Sequence, residues 1–361
     1  MTAVTVVLAA GGTGGHVFPG LALAEALVRA ADVTPMFVGT ARGFETKLVP
    51  HAGYPLELFD VVPIKGGGAS QAFRGGASAA RALGEARRFL RAARPSAVVS
   101  VGGYASGPVS LAASTLGIPL AIVEPNSVMG LANRWLAPLA RRIYLAFAEA
   151  RPALVGARAR VSGVPLRDGF SPRPTVEASK KRVLVLGGSQ GAKALNALVP
   201  EALGLVAREA VALEVRHQAG EAKDQEALAA YARLGLLGVV TVVPFSDSLA
   251  ADIAWADLVI ARAGAGTLAE IAAVGRASLL VPLPNAADDH QAKNAAAFAS
   301  TGAAEWIRQD DADPSLLAAA IHGLLTDDAR REALAAASVA RGRPEAARTI
   351  ARDLLEMAGV H

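Results

Sequence analysis

His16 stands in the segment Thr5–Gly20, TVVLAAGGTGGHVFPG, where Gly11, Gly12, Gly14 and Gly15 surround Thr13. An imidazole with an ordinary pKa of about 6.5 suits proton removal at neutral pH. The glycines let backbone N–H groups approach a ligand with no Cβ in the way. The helical pattern that begins near Pro19 aims a partly positive N-terminus at the same spot, which favours phosphate. An apolar run, a glycine turn and a helix recur at Gly102-Gly103-Tyr104-Ala105-Ser106-Gly107-Pro108 and again at Gly187-Gly188-Ser189-Gln190-Gly191. One such turn is often only a tight connection; its repetition argues for a ligand.

The elements that must position these turns alternate strand and helix. Short runs at 36–39, 56–62, 96–103, 119–126 and 142–147 read as strands in the first half. Residues 64–76 read as a glycine-rich loop leading into a basic helix over 77–92. The segment 163–181, with three prolines and little periodicity, reads as a linker. The pattern then restarts, with strands at 182–187, 213–220, 238–247, 257–264 and 277–285, and a helical tail from about 330 to 357. Such alternation predicts an α/β protein of two doubly wound, Rossmann-like domains facing across a cleft, with ligands beyond the carboxyl ends of the strands. The expected division is 1–163, 164–340, and a terminal helix over 341–361 packing back on the first domain.

Ordinary glycine motifs fail. A dinucleotide fingerprint needs glycine where Val17 stands and an acid where the second strand ends on Gly39-Thr40. No glycine precedes Lys and Ser/Thr at P-loop spacing. Gly187–Gly191 does match G-x-S-x-G, with Asp247 and His290 following, which keeps a serine hydrolase as an alternative. That reading leaves the first two turns unexplained.

The composition narrows the classes further. At 361 residues the chain has material for two cores, and its net charge is +4. It has no cysteine, hence no disulfide or thiolate chemistry. No apolar stretch approaches the length of a membrane span, and the N-terminus lacks a signal-peptide pattern, so cytoplasmic residence is the simplest expectation. Arg74, Arg81, Arg87, Arg88, Arg91 and Arg94 cluster with Glu85 as the sole acid among them, and Phe73, Leu83 and Phe89 interleave. This segment is either a solvated face or a contact for anionic lipid. Nothing points to nucleic acid. Asp311-Ala312-Asp313 matches D-x-D formally but reads as a helix N-cap before Pro314, so no metal ligand is assigned.

GGTGGHVFPGLALAEAL, GGYASGP, EPNSVMGLANRWLA, GVPLR, GGSQGA, ARAGAGTLAEIAAVGRASLLVPLP and DDHQAKNA, in this order, resemble the successive motifs of the MurG glycosyltransferases, members of family 28 with the GT-B fold. The resemblance implies an inverting transfer of GlcNAc from UDP-GlcNAc to the C4 hydroxyl of the muramoyl sugar of lipid I, giving lipid II. It places the enzyme peripherally at the cytoplasmic face of the inner membrane, with UDP-GlcNAc, lipid I and the membrane surface as partners. It implies no required cofactor, with stimulation by a divalent cation left open. Another UDP-sugar transferase acting on a different lipid, such as diacylglycerol, and a non-catalytic nucleotide-sugar-binding protein are the alternatives.

The resemblance also assigns residues. His16 and Glu270 are the catalytic candidates, His16 as base and Glu270 as acceptor of the ribose hydroxyls, one helical turn beyond Thr267. Thr13, Gly14, Gly15, Asn126, Arg167, Ser189, Gln190, Ser246, Leu249, Ala265, Gly266, Thr267, Leu268, Ala269 and Gln291 are expected around UDP-GlcNAc. Ser189 and Gln190 would donate to the diphosphate, the backbone at Ser246 would read uracil, and Leu249 would pack on the nucleoside. Asn294 is a weaker candidate that reads equally as a helix brace. Gly103, Tyr104 and Ser106 of the second turn are assigned to the acceptor side. Pro125 stands where the family is expected to carry glutamine, which removes an amide and a backbone donor.

Overall fold

The computed structural model describes residues 4–61, 69–103, 105–151, 156–174, 178–188, 191–284 and 286–360, with the backbone alone at 69–79 and 287. Tyr104, Ser189 and Gln190 therefore lie outside the described residues, as do the side chains of Phe73 and Arg74. The chain forms two compact units, Met1–Asp168 together with Pro344–His361, and Gly169–Arg343.

In the first unit, β1 (Val4–Ala10), α1 (Gly14–Ala30), β2 (Val33–Gly39), α2 (Glu45–His51) and β3 (Leu56–Leu58) come first. Then follow α3 (Ala69–Ala93), β4 (Ala97–Gly102), α4 (Ser106–Thr115), β5 (Leu120–Glu124), α5 (Leu131–Leu136), β6 (Arg142–Leu145) and β7 (Ala159–Val161). The second unit holds β8 (Lys181–Leu186), α6 (Lys193–Arg208), β9 (Leu213–Gln218), α7 (Asp224–Arg233), β10 (Val240–Val243) and α8 (Leu249–Trp255). It continues through β11 (Leu258–Ala261), α9 (Ala265–Val274), β12 (Ala277–Leu280), α10 (His290–Ala299), β13 (Glu305–Trp306), α11 (Pro314–Thr326) and α12 (Asp328–Arg341). The last helix, α13 (Ala346–Met357), belongs to the first unit.

Both sheets are parallel. Their strand orders are β3-β2-β1-β4-β5-β6-β7 and β10-β9-β8-β11-β12-β13. Each order reverses once, between β1 and β4 in the first sheet and between β8 and β11 in the second. In a doubly wound sheet that switch point opens a crevice beyond the strand ends. The first two glycine turns follow β1 and β4; the third follows β8, and Gly264-Ala265-Gly266 follows β11.

Strand alternation builds a core on each face. In the first unit Val7, Ala9, Val98, Leu120, Ile122, Ile143 and Leu145 face α3, α4 and α5. Val6, Leu8, Val99, Val101, Ala121, Val123 and Tyr144 face α1 and α13. Ala347, Ile350, Ala351, Leu354 and Leu355 recur at helical spacing and bury one side of α13 there. Asp353 anchors that helix by accepting from the Tyr144 hydroxyl (2.5 Å) and pairing with Arg160 (2.7 Å) and Arg142 (3.2 Å).

Several expectations change. The tail is two helices, broken at 342–345, where Gly342 lies so close to Ala272 O that a Cβ would stand 2.5 Å from it. The basic helix starts at Ala69, inside the stretch read as a loop. Leu83 and Phe89 are not offered to a lipid surface: both pack inward on the core, Phe89 edge-on to Phe59 at 5.9 Å. The short strands β7 and β13 were not legible, being three and two residues long.

Candidate functional site

The first two turns interlock. Gly102 and Gly103 have φ of +116° and +94°, and a Cβ on Gly103 would stand 2.2 Å from Gly11 O. The imidazole of His16, in the first turn of α1, lies against Gly102, where a Cβ would come within 2.8 Å of its Nε2. Only glycine fits either position. His16 Nδ1 is 3.3 Å from Gly11 O and 3.5 Å from Thr13 Oγ1. A carbonyl only accepts, so the Nδ1–H tautomer is the one that bonds to Gly11 O, and in that tautomer Nε2 is the basic nitrogen. Gly14 is buried, while Thr13 and Gly15 are exposed beside the ring. Ser106 closes the second turn by donating from its hydroxyl to Gly103 O at 2.7 Å.

A buried carboxylate braces the first turn from behind, and a second one holds the loop that follows β5. Glu45 on α2, 0% exposed, accepts from Gly12 N and Thr40 N at 2.8 Å each and from Thr40 Oγ1 at 3.2 Å. Gly11, Gly39 and Gly43 line its place, and a Cβ on any of them would collide with its carboxyl group. Glu124, at the end of β5, accepts from Asn126 N (3.0 Å), Asn126 Nδ2 (3.3 Å), Gly130 N (3.0 Å) and Asn133 Nδ2 (2.9 Å). Burial pushes its carboxyl above the usual range, and these donors partly offset the rise. The Asn126 amide is thus turned toward Glu124.

In the second unit the braces are donors. Asn196 Nδ2 donates to Ala219 O at 3.0 Å, and its Oδ1 accepts from His217 Nε2 at 3.1 Å. His217 Nδ1 then accepts from the Tyr231 hydroxyl at 3.0 Å. Burial drives the imidazole pKa down to about 3, so the ring is neutral. This network sits beneath the third turn, where Gly191 has φ +66° and a Cβ would stand 2.2 Å from Ala219 O. Beside the turn after β11, Arg262 donates to Val281 O (2.9 Å), Pro282 O (3.2 Å) and Gln309 Oε1 (2.7 Å). Its pKa falls to about 10 by burial, leaving it cationic at neutral pH. Asn294 Nδ2 donates to Ala263 O at 3.2 Å, the brace its position suggested.

Gly264 caps α9 in extended conformation, and the N–H groups of Ala265, Gly266 and Thr267 have no acceptor within the helix. Gly266, Thr267, Ala269 and Glu270 are half-buried. Leu268 packs inward at 1% exposure, so its side chain contributes to the core.

The chain matches the glycosyltransferase family 28 N-terminal domain over residues 6–145 and the C-terminal domain over 182–350. It is 48% identical over 359 residues to a UDP-N-acetylglucosamine–N-acetylmuramyl-(pentapeptide) pyrophosphoryl-undecaprenol N-acetylglucosamine transferase of Sorangium cellulosum, covering 98% of this chain and 89% of the relative. The chain belongs to glycosyltransferase family 28. A family member of the same name from Acidithiobacillus ferrooxidans is 43% identical, with 98% of each chain covered. The crystal structure of Acinetobacter baumannii MurG superposes with a TM-score of 0.81 at 33% identity, over 98% of this chain and 99% of that one.

Within this family-28 chain the remaining candidates fall as follows. Arg167 is exposed in the first unit, its guanidinium 5.7 Å from the ring centroid of Phe18, two residues past His16. The ion pair at that boundary belongs instead to Asp168 and Arg29. Ser246 donates its hydroxyl to Asp252 and accepts from Ser248 N at 3.2 Å, so its side chain is committed within the unit. Leu249 begins α8 and is half-buried. Gln291 Oε1 accepts from Leu283 N at 3.0 Å, tying α10 to the segment after β12. Asp313 caps α11, accepting from Ser315 N and Leu316 N at 2.7 and 2.9 Å. A cavity of about 600 Å³ between α1, α13 and Leu166 opens at the Arg29 end of α1, away from His16.

Glu45, Asn196, His217 and Arg262 were missed by sequence reasoning. The only available signal for Glu45 was an isolated acid six residues past a strand that ends on glycine.

Proposed function

We propose that this chain transfers GlcNAc from UDP-GlcNAc to the C4 hydroxyl of MurNAc in lipid I, forming lipid II with inversion at the anomeric carbon. The observation that carries the reading is 48% identity over 98% of the chain to a transferase named for that reaction.

The geometry supports a division of roles. In the second unit Asn196, Asn294 and Arg262 occupy carbonyl oxygens behind the turns. That leaves the first-turn N–H groups of α9 to favour an anion such as the diphosphate of UDP. Glu270, on the same helix, takes the ribose hydroxyls, and Gln291 the sugar. In the first unit His16 Nε2 accepts the proton of the C4 hydroxyl as its oxygen bonds to C1. The C1–O bond to phosphate breaks, and its electron pair leaves with UDP. The reaction needs no cofactor on this reading, since helix termini carry the developing charge; equal turnover in EDTA and in Mg²⁺ is the expected result.

The acceptor's polyprenyl chain brings the enzyme to the cytoplasmic face of the membrane as a peripheral protein. Among the described residues no helix is long and apolar enough to cross it. Leu131 and Trp135 on α5, Trp135 at 76% exposure, with Leu139 beyond them, are the exposed apolar side chains that suit this contact. Arg88 and Arg91, exposed on α3, supply cationic charge for anionic headgroups. Trp135→Glu is expected to weaken binding to anionic vesicles while sparing transfer to a soluble acceptor.

Purified protein given UDP-GlcNAc with lipid I, or with diacylglycerol, tests the whole. Disaccharide formed from lipid I alone is expected. Transfer to diacylglycerol instead, or binding without turnover, would overturn the reading.

A further inference from the structure

The Gly11–Gly12 peptide is held at both ends. Its N–H, on Gly12, donates to Glu45 Oε2 at 2.8 Å, and its C=O, on Gly11, lies 3.3 Å from His16 Nδ1. A carboxylate, a peptide unit and an imidazole therefore stand in series. Drawing electron density from the N–H toward a carboxylate strengthens the acceptor at the other end of the amide, as hydrogen bonds in a chain polarise one another. A stronger acceptor at Nδ1 keeps the proton there and stabilises the imidazolium that forms when Nε2 takes a second proton. In hydrolytic triads a carboxylate does this by direct contact with the imidazole; here a peptide bond intervenes.

Three features favour this role over simple packing. Glu45 has no solvent exposure, so its charge acts through little screening. All three bonds to it come from donors, Gly12 N, Thr40 N and Thr40 Oγ1. The chain also gives up Cβ atoms at Gly11, Gly39 and Gly43 to make room for it, and Gly12 holds φ +91° to present its N–H.

The elements packed on α1 offer few competing charges. β1, β2 and β4 carry no titratable side chain, and α2 adds Lys47 and His51. On α13, Asp353 is engaged by Tyr144 and Arg160, and Arg348, Arg352 and Glu356 line the cavity near Glu25 and Arg29. That end of α1 lies 13 residues from His16, about 20 Å along the helix.

We propose that Glu45 is a positioning residue for His16, acting through the Gly11–Gly12 peptide to fix the proton on Nδ1 and raise the basicity of Nε2. The proposal rests on the reading of His16 as the base.

The test is a ¹⁵N NMR titration of the His16 ring in the full chain, beside kcat against pH with a soluble lipid I analogue. In the wild type the Nδ1–H tautomer is expected to predominate; predominance of Nε2–H would overturn the proposal without any variant. In Glu45→Gln, whose fold is checked by circular dichroism, the ring should titrate at lower pH. The acid limb of kcat should move with it, and kcat should fall on the order of 10- to 100-fold, by analogy with removing the carboxylate partner of a metal-bound histidine. KM for UDP-GlcNAc should stay within about twofold, since the diphosphate and ribose contacts are assigned to the other unit. Glu45→Asp, which keeps the charge and substitutes for Gln should that variant misfold, should recover part of the titration shift. A folded Glu45→Gln protein with an unchanged tautomer and acid limb would leave Glu45 as packing only and overturn the relay. His16→Ala separates the two claims. Near-wild-type turnover there would sink the base assignment, while the ring titration would still decide whether Glu45 sets the tautomer.

Discussion

The two units build their turns on the same plan, a parallel strand, a glycine bend and a helix at a switch point, yet they brace them with opposite chemistry. In the first unit two buried carboxylates, Glu45 behind the first glycine turn and Glu124 under the loop after β5, collect backbone N–H groups from Gly12, Thr40, Asn126 and Gly130. Behind the second unit's turns lie donors, Asn196, Asn294 and Arg262, which collect carbonyls from Ala219, Ala263, Val281 and Pro282. A brace that consumes N–H groups leaves negative charge beneath the loop and suits a site that must hold a proton. Consumption of C=O groups leaves positive dipole ends outward and suits a site that must hold a diphosphate. The contrast agrees with the proposed division of base chemistry in the first unit and diphosphate binding in the second.

The largest expected effect breaks the comparison at its proton-handling side. His16→Ala should lower kcat by about 10²- to 10⁴-fold, the usual loss for a general base, with KM for UDP-GlcNAc little changed. Steady-state kinetics in both substrates is the check. A rise in that KM at constant kcat would put His16 in donor binding and erase the distinction between the units.

The complementary change is Asn196→Leu. It strips the donor from Ala219 O and the acceptor from His217 Nε2 in a fully buried setting. Leaving such groups unpaired costs about 1–3 kcal/mol each. Chemical denaturation should register that loss, and KM for UDP-GlcNAc should rise while kcat in the folded enzyme holds. Loss of kcat at constant KM would contradict the assignment of donor binding to this unit.

These braces also mark where the sequence was legible and where it was not. The strands announced themselves because Val6–Leu8, Val183–Leu186 and Leu258–Ile260 are buried on both faces and read as unbroken apolar runs. The glycine turns were legible because close approaches, such as Gly103 on Gly11 and Gly191 on Ala219, leave no room for another residue. His16 stood out because it shares such a turn. Glu45 did not, because a single acid on a short helix leaves no periodic trace and its bond to Gly12 spans 33 residues. Asn196 and His217 were hidden for the same reason: each polar residue looks exposed until its partner on another element is known. The inward packing of Leu83 and Phe89 was equally opaque, since a helix with both basic and apolar residues reads alike whichever face meets the core.

Acidification sharpens the contrast without mutation. His217, depressed to about 3 in the fold, stays neutral there while the unfolded chain takes up a proton below about pH 6.5. Its contribution to stability is complete above that value and falls as pH drops toward 3, by at most about 1.4 kcal/mol per unit. Glu124 acts with the opposite sign: raised in the fold, it binds its proton more tightly than the unfolded chain does, so acid favours the first unit there. The second unit should therefore loosen first between pH 6.5 and 5. Trp255 and Trp306 report on it by fluorescence and Trp135 on the other. His217→Gln should flatten the dependence, and simultaneous loss of all three signals would contradict the split.

The smallest effect lies outside both sets of turns. Asp313 satisfies two orphan N–H groups of α11, those of Ser315 and Leu316. Asp313→Ala should cost about 1 kcal/mol of second-unit stability, whereas Asp313→Asn, which caps almost as well, should cost little. Neither should alter kcat, with or without Mg²⁺. The alternative, in which Asp311 and Asp313 hold a cation on the diphosphate, demands the reverse: Asn as damaging as Ala, and the loss seen in turnover rather than in unfolding. That outcome would move charge stabilisation from the dipole ends at the switch point to a metal, and with it much of the reason for bracing the second unit with donors.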